Sequence, residues 1–136
     1  MKFSMLDRHQ TINLAIAFIA KWCAQEGVEA YHEHRFSLII EELIANTFEH
    51  GAPAENSALE LDMSRTGDLV TIFYVDAGSP FNPNEDLAGD DRNKDMEDRR
   101  VGGLGWPLIY QLCESVNYVR RDDQNRTTLV RRLNRE

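Results

Sequence analysis

Two kinds of apolar spacing succeed each other along the chain, and their order limits the architectures open to it. Ile12, Ile16, Ile19, Ala20 and Cys23 recur every three or four residues, with Leu14, Phe18 and Trp22 widening the stripe, until Gly27 offers a stop. A second pattern of the same period covers roughly Ala30 to His50. Phe36, Ile40, Leu43 and Thr47 make one face of it, and Gly51 with Pro53 ends it. From Ala58 to Met63 the period changes to two, Thr66-Gly67-Asp68 reads as a turn, and Leu69 to Val75 is a β-branched and aromatic run; together they predict a hairpin. Between Ser79 and Val101 the acids Glu85, Asp86, Asp90, Asp91, Asp95, Glu97 and Asp98 outnumber Arg92 and Lys94, which predicts a long mobile loop. After Gly102-Gly103-Leu104-Gly105, Pro107 is tolerated in the first turn of a third helix carried by Leu108, Ile109, Leu112 and Cys113. Val116 to Arg121 and Thr127 to Leu133 then form a second hairpin around Asp122-Asp123-Gln124-Asn125. Short turns make neighbouring strands antiparallel, so the expected class is α+β: a two-layer sandwich with a mostly antiparallel sheet and helices on one face.

With 136 residues, of which 42% are hydrophobic, the chain is sized for one domain, 1–136, able to bury a core without a disulfide or metal staple. The formal net charge is -8, from 15 basic and 23 acidic residues, a balance that repels a phosphate backbone and argues against nucleic acid as a partner. Apolar runs such as Leu38-Ile39-Ile40 are far short of the roughly 18 residues a membrane span needs. The first residues show no apolar signal segment, so a cytoplasmic location without membrane contact is expected. Cys23 and Cys113 form no Cys-x-x-Cys pair and sit in helical apolar patterns, where a reduced thiol acts as a small hydrophobe.

Three short polar features remain. At about 100° per residue Glu42, Asn46, Glu49 and His50 share one arc of the second helix, opposite its apolar stripe, as a solvated face or as a functional ledge. Asp76-Ala77-Gly78 follows directly on the strand Leu69 to Val75. This is an ordinary Asp-x-Gly turn, or it is a carboxylate held at the protein's interior edge. A desolvated carboxylate needs a donor, which an exocyclic amine such as that of adenine supplies, and Gly78 lets the backbone approach a flat ring. Gly102-Gly103-Leu104-Gly105 leading into a helix is either a flexible loop or a seat for phosphates made of free N–H groups and the helix dipole. Its spacing matches neither a P-loop nor a dinucleotide fingerprint. His32-Glu33-His34 offers two histidines on different faces of a helix, which is poor metal-site geometry. The C-terminal Arg120, Arg121, Arg126, Arg131, Arg132 and Arg135, interrupted by acids, read as a strand face for an acidic partner or for the acidic loop.

In this order the three features resemble the stand-alone ATPase-like domains of anti-sigma factors that are serine-protein kinases, within the superfamily of gyrase, histidine kinases and MutL. Glu41 to Gly51 is similar to the family's N box, Asp76 to Pro83 to its first glycine box, and Gly102 to Ile109 to its second. The resemblance implies a Bergerat-type fold that binds ATP and Mg²⁺. Residue by residue it makes Glu42 the general base, Asn46 the Mg²⁺ ligand and Asp76, with Gly78, the adenine site. Gly102, Gly103, Leu104 and Gly105 become the phosphate loop, His50 a residue facing the phosphates, and Arg100 (next to Arg99) a lid residue reaching the terminal phosphate. Arg126-Thr127-Thr128 is similar to a Gly-Thr pair whose threonine helps hold adenine; the glycine is absent here, and the role falls on Thr127. The resemblance also raises an N-terminal strand over Lys2 to Leu6, which the short stretch before the first helix leaves open. The implied activity is that of an ATP-dependent switch. It phosphorylates a serine of a small anti-anti-sigma (STAS-like) protein, otherwise sequesters a sigma factor or other signalling partner, and has family precedent for a homodimer. A histidine-kinase catalytic domain is ordinarily joined to a dimerisation helix pair, for which there is no room before helix one. The alternative is an ATP-binding anti-sigma or partner-switching regulator that transfers no phosphate. The base–metal spacing has a physical basis of its own, since Glu42 and Asn46 lie about one helical turn apart.

Overall fold

A computed structural model describes residues 1–4, 7–51, 57–80 and 105–133. Strand β1 is Lys2–Ser4, helix α1 Arg8–Glu26 and helix α2 Ala30–Asn46, followed by a π-helical turn over Thr47–Gly51. Strands β2 (Ala58–Thr66) and β3 (Leu69–Asp76), helix α3 (Gly105–Leu112) and strands β4 (Ser115–Arg121) and β5 (Gln124–Arg132) complete the order. All strand pairs are antiparallel, in the spatial order β1-β2-β3-β5-β4. This is the expected α+β sandwich, with an N-terminal strand that pairs Phe3 with Leu59 and so sits at the β2 edge.

The helix ends follow from local chemistry. Asp7 caps α1 by accepting from the Gln10 amide at 2.8 Å, and Gly27 closes it in the left-handed conformation, φ 69°, which costs a side-chain-bearing residue more than glycine. The stripe of α1 that reaches the core is centred on Thr11, Ala15, Ile19 and Cys23, so Ile16 and Ala20 lie on its flank. Thr11 can be buried because its hydroxyl donates to the Asp7 carbonyl at 2.9 Å. Helix α2 ends at Asn46, four residues before the His50 end expected from periodicity; the chain continues helically, but as a π turn.

One face of the sheet, carrying Leu59, Leu61, Met63, Val70, Ile72, Tyr74 and Leu129, packs against Ile19, Phe36, Ile39, Ile40 and Ile44 of α1 and α2 and against Ile109 of α3. Each of these large side chains, withdrawn from water, contributes about 1.5–3 kcal/mol of transfer free energy. Phe18 and Trp22 pack against this core from its margin. Among the described residues no helix is long and apolar enough to cross a membrane. Cys23 is buried and Cys113 half-buried, and burial pushes their thiols up to about 11 and about 12, so both stay protonated at neutral pH.

Strand β5 has a strict alternation: Asn125, Thr127, Leu129 and Arg131 point inward, and Gln124, Arg126, Thr128, Val130 and Arg132 outward. That period corrects two expectations. The turn between β4 and β5 is two residues, Asp122 and Asp123, both at positive φ (55° and 60°), and Gln124 and Asn125 belong to the strand. Arg131 is no surface arginine: it is 5% exposed and donates to the Leu112 carbonyl at 2.7 Å and to His32 Nδ1 at 3.2 Å.

Because arginine only donates, His32 Nδ1 accepts, and the ring is neutral. Burial first, and then the Arg131 charge, lowers the pKa of His32, whereas His34 on the other side of α2 is exposed. In the unfolded chain His32 takes up a proton near pH 6.5 that the folded chain refuses. Stability is therefore expected to fall as pH drops below about 6.5. In His32→Gln the drop in thermal midpoint between pH 8 and pH 5.5 should be smaller, as read by thermal denaturation.

Candidate functional site

Where the end of β3, the start of β5, the end of α2 and the start of α3 converge, Leu43, Asn46, Thr47, Tyr74, Asp76, Trp106, Asn125 and Thr127 enclose a cavity of about 20 Å³. That is room for about one water molecule. Three of the residues expected from sequence, Asn46, Asp76 and Thr127, are brought together there.

Asp76 is 5% exposed, and its carboxylate is met on both edges. Oδ1 accepts from the Gly78 amide at 2.8 Å and from Asn125 Nδ2 at 3.0 Å. Oδ2 has the Thr47 hydroxyl at 3.1 Å. The Tyr74 hydroxyl lies 2.7 Å from Thr47 Oγ1 and 3.3 Å from the Leu43 carbonyl. Burial, reinforced by the Asp76 charge, holds the Tyr74 pKa well above its ordinary range, so this phenol is a donor. A chain from Tyr74 through Thr47 to Asp76 uses each hydroxyl proton once. The Asp-x-Gly turn is therefore real, since Gly78 donates back to Asp76, and the carboxylate is also at the protein's interior edge.

Asn46 departs from the expectation of a polar ledge opposite the apolar stripe. It is 3% exposed, turned inward at the end of α2, and among the described residues neither its Oδ1 nor its Nδ2 meets a partner. Leaving a buried amide unpaired costs about 1–3 kcal/mol. An oxygen ligand for a hard cation, completed by phosphate oxygens and water, is the donor set such an orphan suits, so the residue present fits Mg²⁺.

Glu42, one turn earlier, is half-buried and does not line the cavity. Burial first, then the charges of Glu49 and Glu41, raises its pKa above the usual carboxylate value. Arg8, from the first turn of α1, opposes this while pairing with Glu49 at 3.1 Å. Thr127 sits opposite Tyr74 in the β3–β5 register. Gly105 opens α3, and Trp106 beside it is 2% exposed against the cavity. The side chain of His50, the acidic loop, Arg100, Gly102, Gly103 and Leu104 lie outside the described residues.

Three further residues line the cavity that the sequence does not single out for it: Thr47, on the apolar face of the second helix, Tyr74, within the β-branched and aromatic run, and Asn125, in the expected turn. A signal for Asn125 existed: in a strand, residues two apart share a face, so a pocket-facing Thr127 carries Asn125 with it.

With this geometry in hand, the histidine kinase-like ATPase domain model matches residues 6–131, and the chain belongs to that family. Solved structures share the fold. The blue-light activated histidine kinase of Erythrobacter litoralis EL346 aligns with a TM-score of 0.55 at 16% identity, over 78% of this chain and 32% of that one. The histidine kinase AdeS of Acinetobacter baumannii gives 0.52 at 15% identity, over 76% and 48%. The histidine kinase domain of the Erythrobacter protein gives 0.52 at 16%, over 74% and 44%. The chain thus spans less than half the length of each. No curated protein matches it by sequence.

Proposed function

We propose that this chain binds ATP in the cavity between β3, β5, α2 and α3 and acts as a serine-protein kinase and switch. In this reading it transfers the γ-phosphate to a small STAS-like antagonist and sequesters a sigma factor or similar signalling partner. The observation that carries the reading is the pairing of a buried carboxylate, Asp76, with a buried and unpartnered amide, Asn46, across one cavity. Asp76 accepts the exocyclic amine of adenine, with Thr127 beside it. Asn46 would hold Mg²⁺, which when bound would supply charge neutralisation on the phosphate oxygens.

Glu42 supports serine as the acceptor. A hydroxyl must give up a proton to attack phosphorus, whereas a neutral imidazole nitrogen attacks with its own lone pair. A carboxylate with a raised pKa, one turn from Asn46, is a fitting base. A cavity of about 20 Å³ is too small for a purine, so binding requires Trp106 and the start of α3 to give way.

The test is calorimetric titration with ATP, with and without Mg²⁺, on the wild type and Asn46→Ala. The wild type should bind more tightly with Mg²⁺. The variant should keep or raise its thermal midpoint, because it loses an unsatisfied buried amide, and should lose the Mg²⁺ dependence. A variant with the full Mg²⁺ dependence overturns the assignment of Asn46, and a wild type that binds no ATP overturns the reading. Incubation with labelled ATP and a STAS-like partner separates the kinase from the regulator that only binds: complex formation with no label on the partner leaves the second.

A further inference from the structure

Asn125 lies outside the sequence motifs, yet its amide is hydrogen-bonded at both ends. It faces Asp76 across the β3–β5 register and is 4% exposed. Its Nδ2 donates to Asp76 Oδ1 at 3.0 Å and to the Ser79 carbonyl at 2.8 Å. Its Oδ1 accepts from Arg120 Nη1 at 3.2 Å and from the Tyr118 hydroxyl. All four hydrogen-bonding positions of the amide are occupied, and their chemistry permits one orientation only. A carboxylate and a carbonyl accept, so Nδ2 faces them; a guanidinium donates, so Oδ1 faces it. Arg120 Nη1 also donates to the Gly78 carbonyl at 2.7 Å. The corner Asp76 to Ser79 is therefore tied to β4 and β5 at three acceptors: Asp76 Oδ1, the Gly78 carbonyl and the Ser79 carbonyl.

We infer that Asn125, held by Tyr118 and Arg120, is a positioning residue that fixes the rotation of the Asp76 carboxylate and so sets the affinity and base selectivity of the nucleotide site. The inference deepens the ATP reading and rests on it. With two donors on Oδ1, from Gly78 and Asn125, the carboxylate cannot turn, and Oδ2 keeps capacity beyond the Thr47 hydroxyl for one more donor. A purine that presents an amine at that point is accepted. One that presents a carbonyl, as guanine does, meets acceptor against acceptor. Without the Asn125 donor the carboxylate can rotate, and the distinction weakens.

The experiment measures ATP and GTP binding to the full chain for the wild type, Asn125→Ala, Asn125→Asp and Tyr118→Phe, together with the amide proton of Gly78 by NMR in the absence of nucleotide. Asn125→Ala should weaken ATP binding about tenfold and GTP binding much less, so that the ATP/GTP ratio falls. Asn125→Asp keeps the shape but exchanges the donor for a second carboxylate, and should be worse than Ala for ATP. Tyr118→Phe, which loosens Asn125 without touching Asp76, should give a smaller loss and covers the case in which the Asn125 variants fail to fold. In each variant the Gly78 amide should move upfield and exchange faster as its bond to Asp76 Oδ1 weakens. An unchanged ATP/GTP ratio with an altered thermal midpoint is what a merely structural Asn125 produces, and it overturns the inference, as does Asn125→Asp binding like the wild type. If the wild type binds no nucleotide the ATP reading fails. The Gly78 amide then decides by itself whether Asn125 positions Asp76, and an unmoved signal overturns that as well.

Discussion

Glu42→Gln is expected to lower phosphate transfer to the partner by about 10²–10⁴-fold, the usual worth of a general base, while ATP affinity stays within about twofold of the wild type. The substitution keeps shape and hydrogen-bonding capacity, and Glu42 lies outside the cavity that takes the base, so binding has no reason to change. The pH profile gives a second reading of the same residue. Only ionised Glu42 can accept the serine proton, so the rate should fall on the acid side, with a limb above the ordinary carboxylate range because burial and the neighbouring Glu49 and Glu41 raise its pKa. Arg8→Ala removes the opposing charge found among the described residues, and the limb should move to higher pH. Initial rates of labelled phosphate transfer between pH 4.5 and 8 measure both. Equal loss of binding and transfer in the Gln variant means that Glu42 is structural.

Asp76→Asn should reduce ATP affinity by a factor on the order of 10 to 100, about 1–3 kcal/mol, without unfolding the domain. The sign follows from the three donors around the carboxylate. An asparagine can keep its oxygen on the Gly78 and Asn125 donors and put its nitrogen at the place of Oδ2. Thr47, a hydroxyl, then turns from donor to acceptor, so the protein's own contacts survive. The amine of adenine cannot make that adjustment, because it now meets an N–H. A carbonyl at the same point does better, so the loss for ATP should come with a gain for GTP. Calorimetry with both nucleotides and a thermal melt separates the outcomes. A large fall in midpoint with parallel losses for ATP and GTP would make Asp76 a structural residue.

Periodicity announces α1, α2 and β2, because each is amphipathic against a single core, whereas β3 is legible from its β-branched and aromatic run and β5 from the turn before it; their alternation is one of burial, which residue type does not show. The misses have physical reasons. Helical spacing cannot distinguish an α turn from the π turn at Thr47–Gly51, because the hydrogen-bond shift that separates them leaves no mark on composition. Asn46 has the residue type of a solvated face, and only the end of the helix against β3, β5 and α3 buries it. Arg131 is excluded from the interior by type, and what admits it is a carbonyl at the end of α3 and a neutral histidine on α2, partners remote in sequence. For Asp76 the sequence offers both an ordinary turn and an interior carboxylate, and the structure shows both at once. The contacts that orient it are not legible, since Asn125 is 49 residues away.

The two-residue turn at Asp122 and Asp123 fixes the phase of everything after it. From Gln124 on, β5 feeds the core and the cavity from one face of a single strand, with the opposite residues looking outward. One residue added to or removed from the turn would exchange the two sets: Arg126 and Thr128 would enter where Thr127 and Leu129 now lie, and Arg131 would be carried away from His32. Insertions of two residues would keep the phase. The length of this turn is thus under tighter restriction than its identity, even though it lies at the surface and does not line the cavity, and natural or engineered length variation there should occur in steps of two.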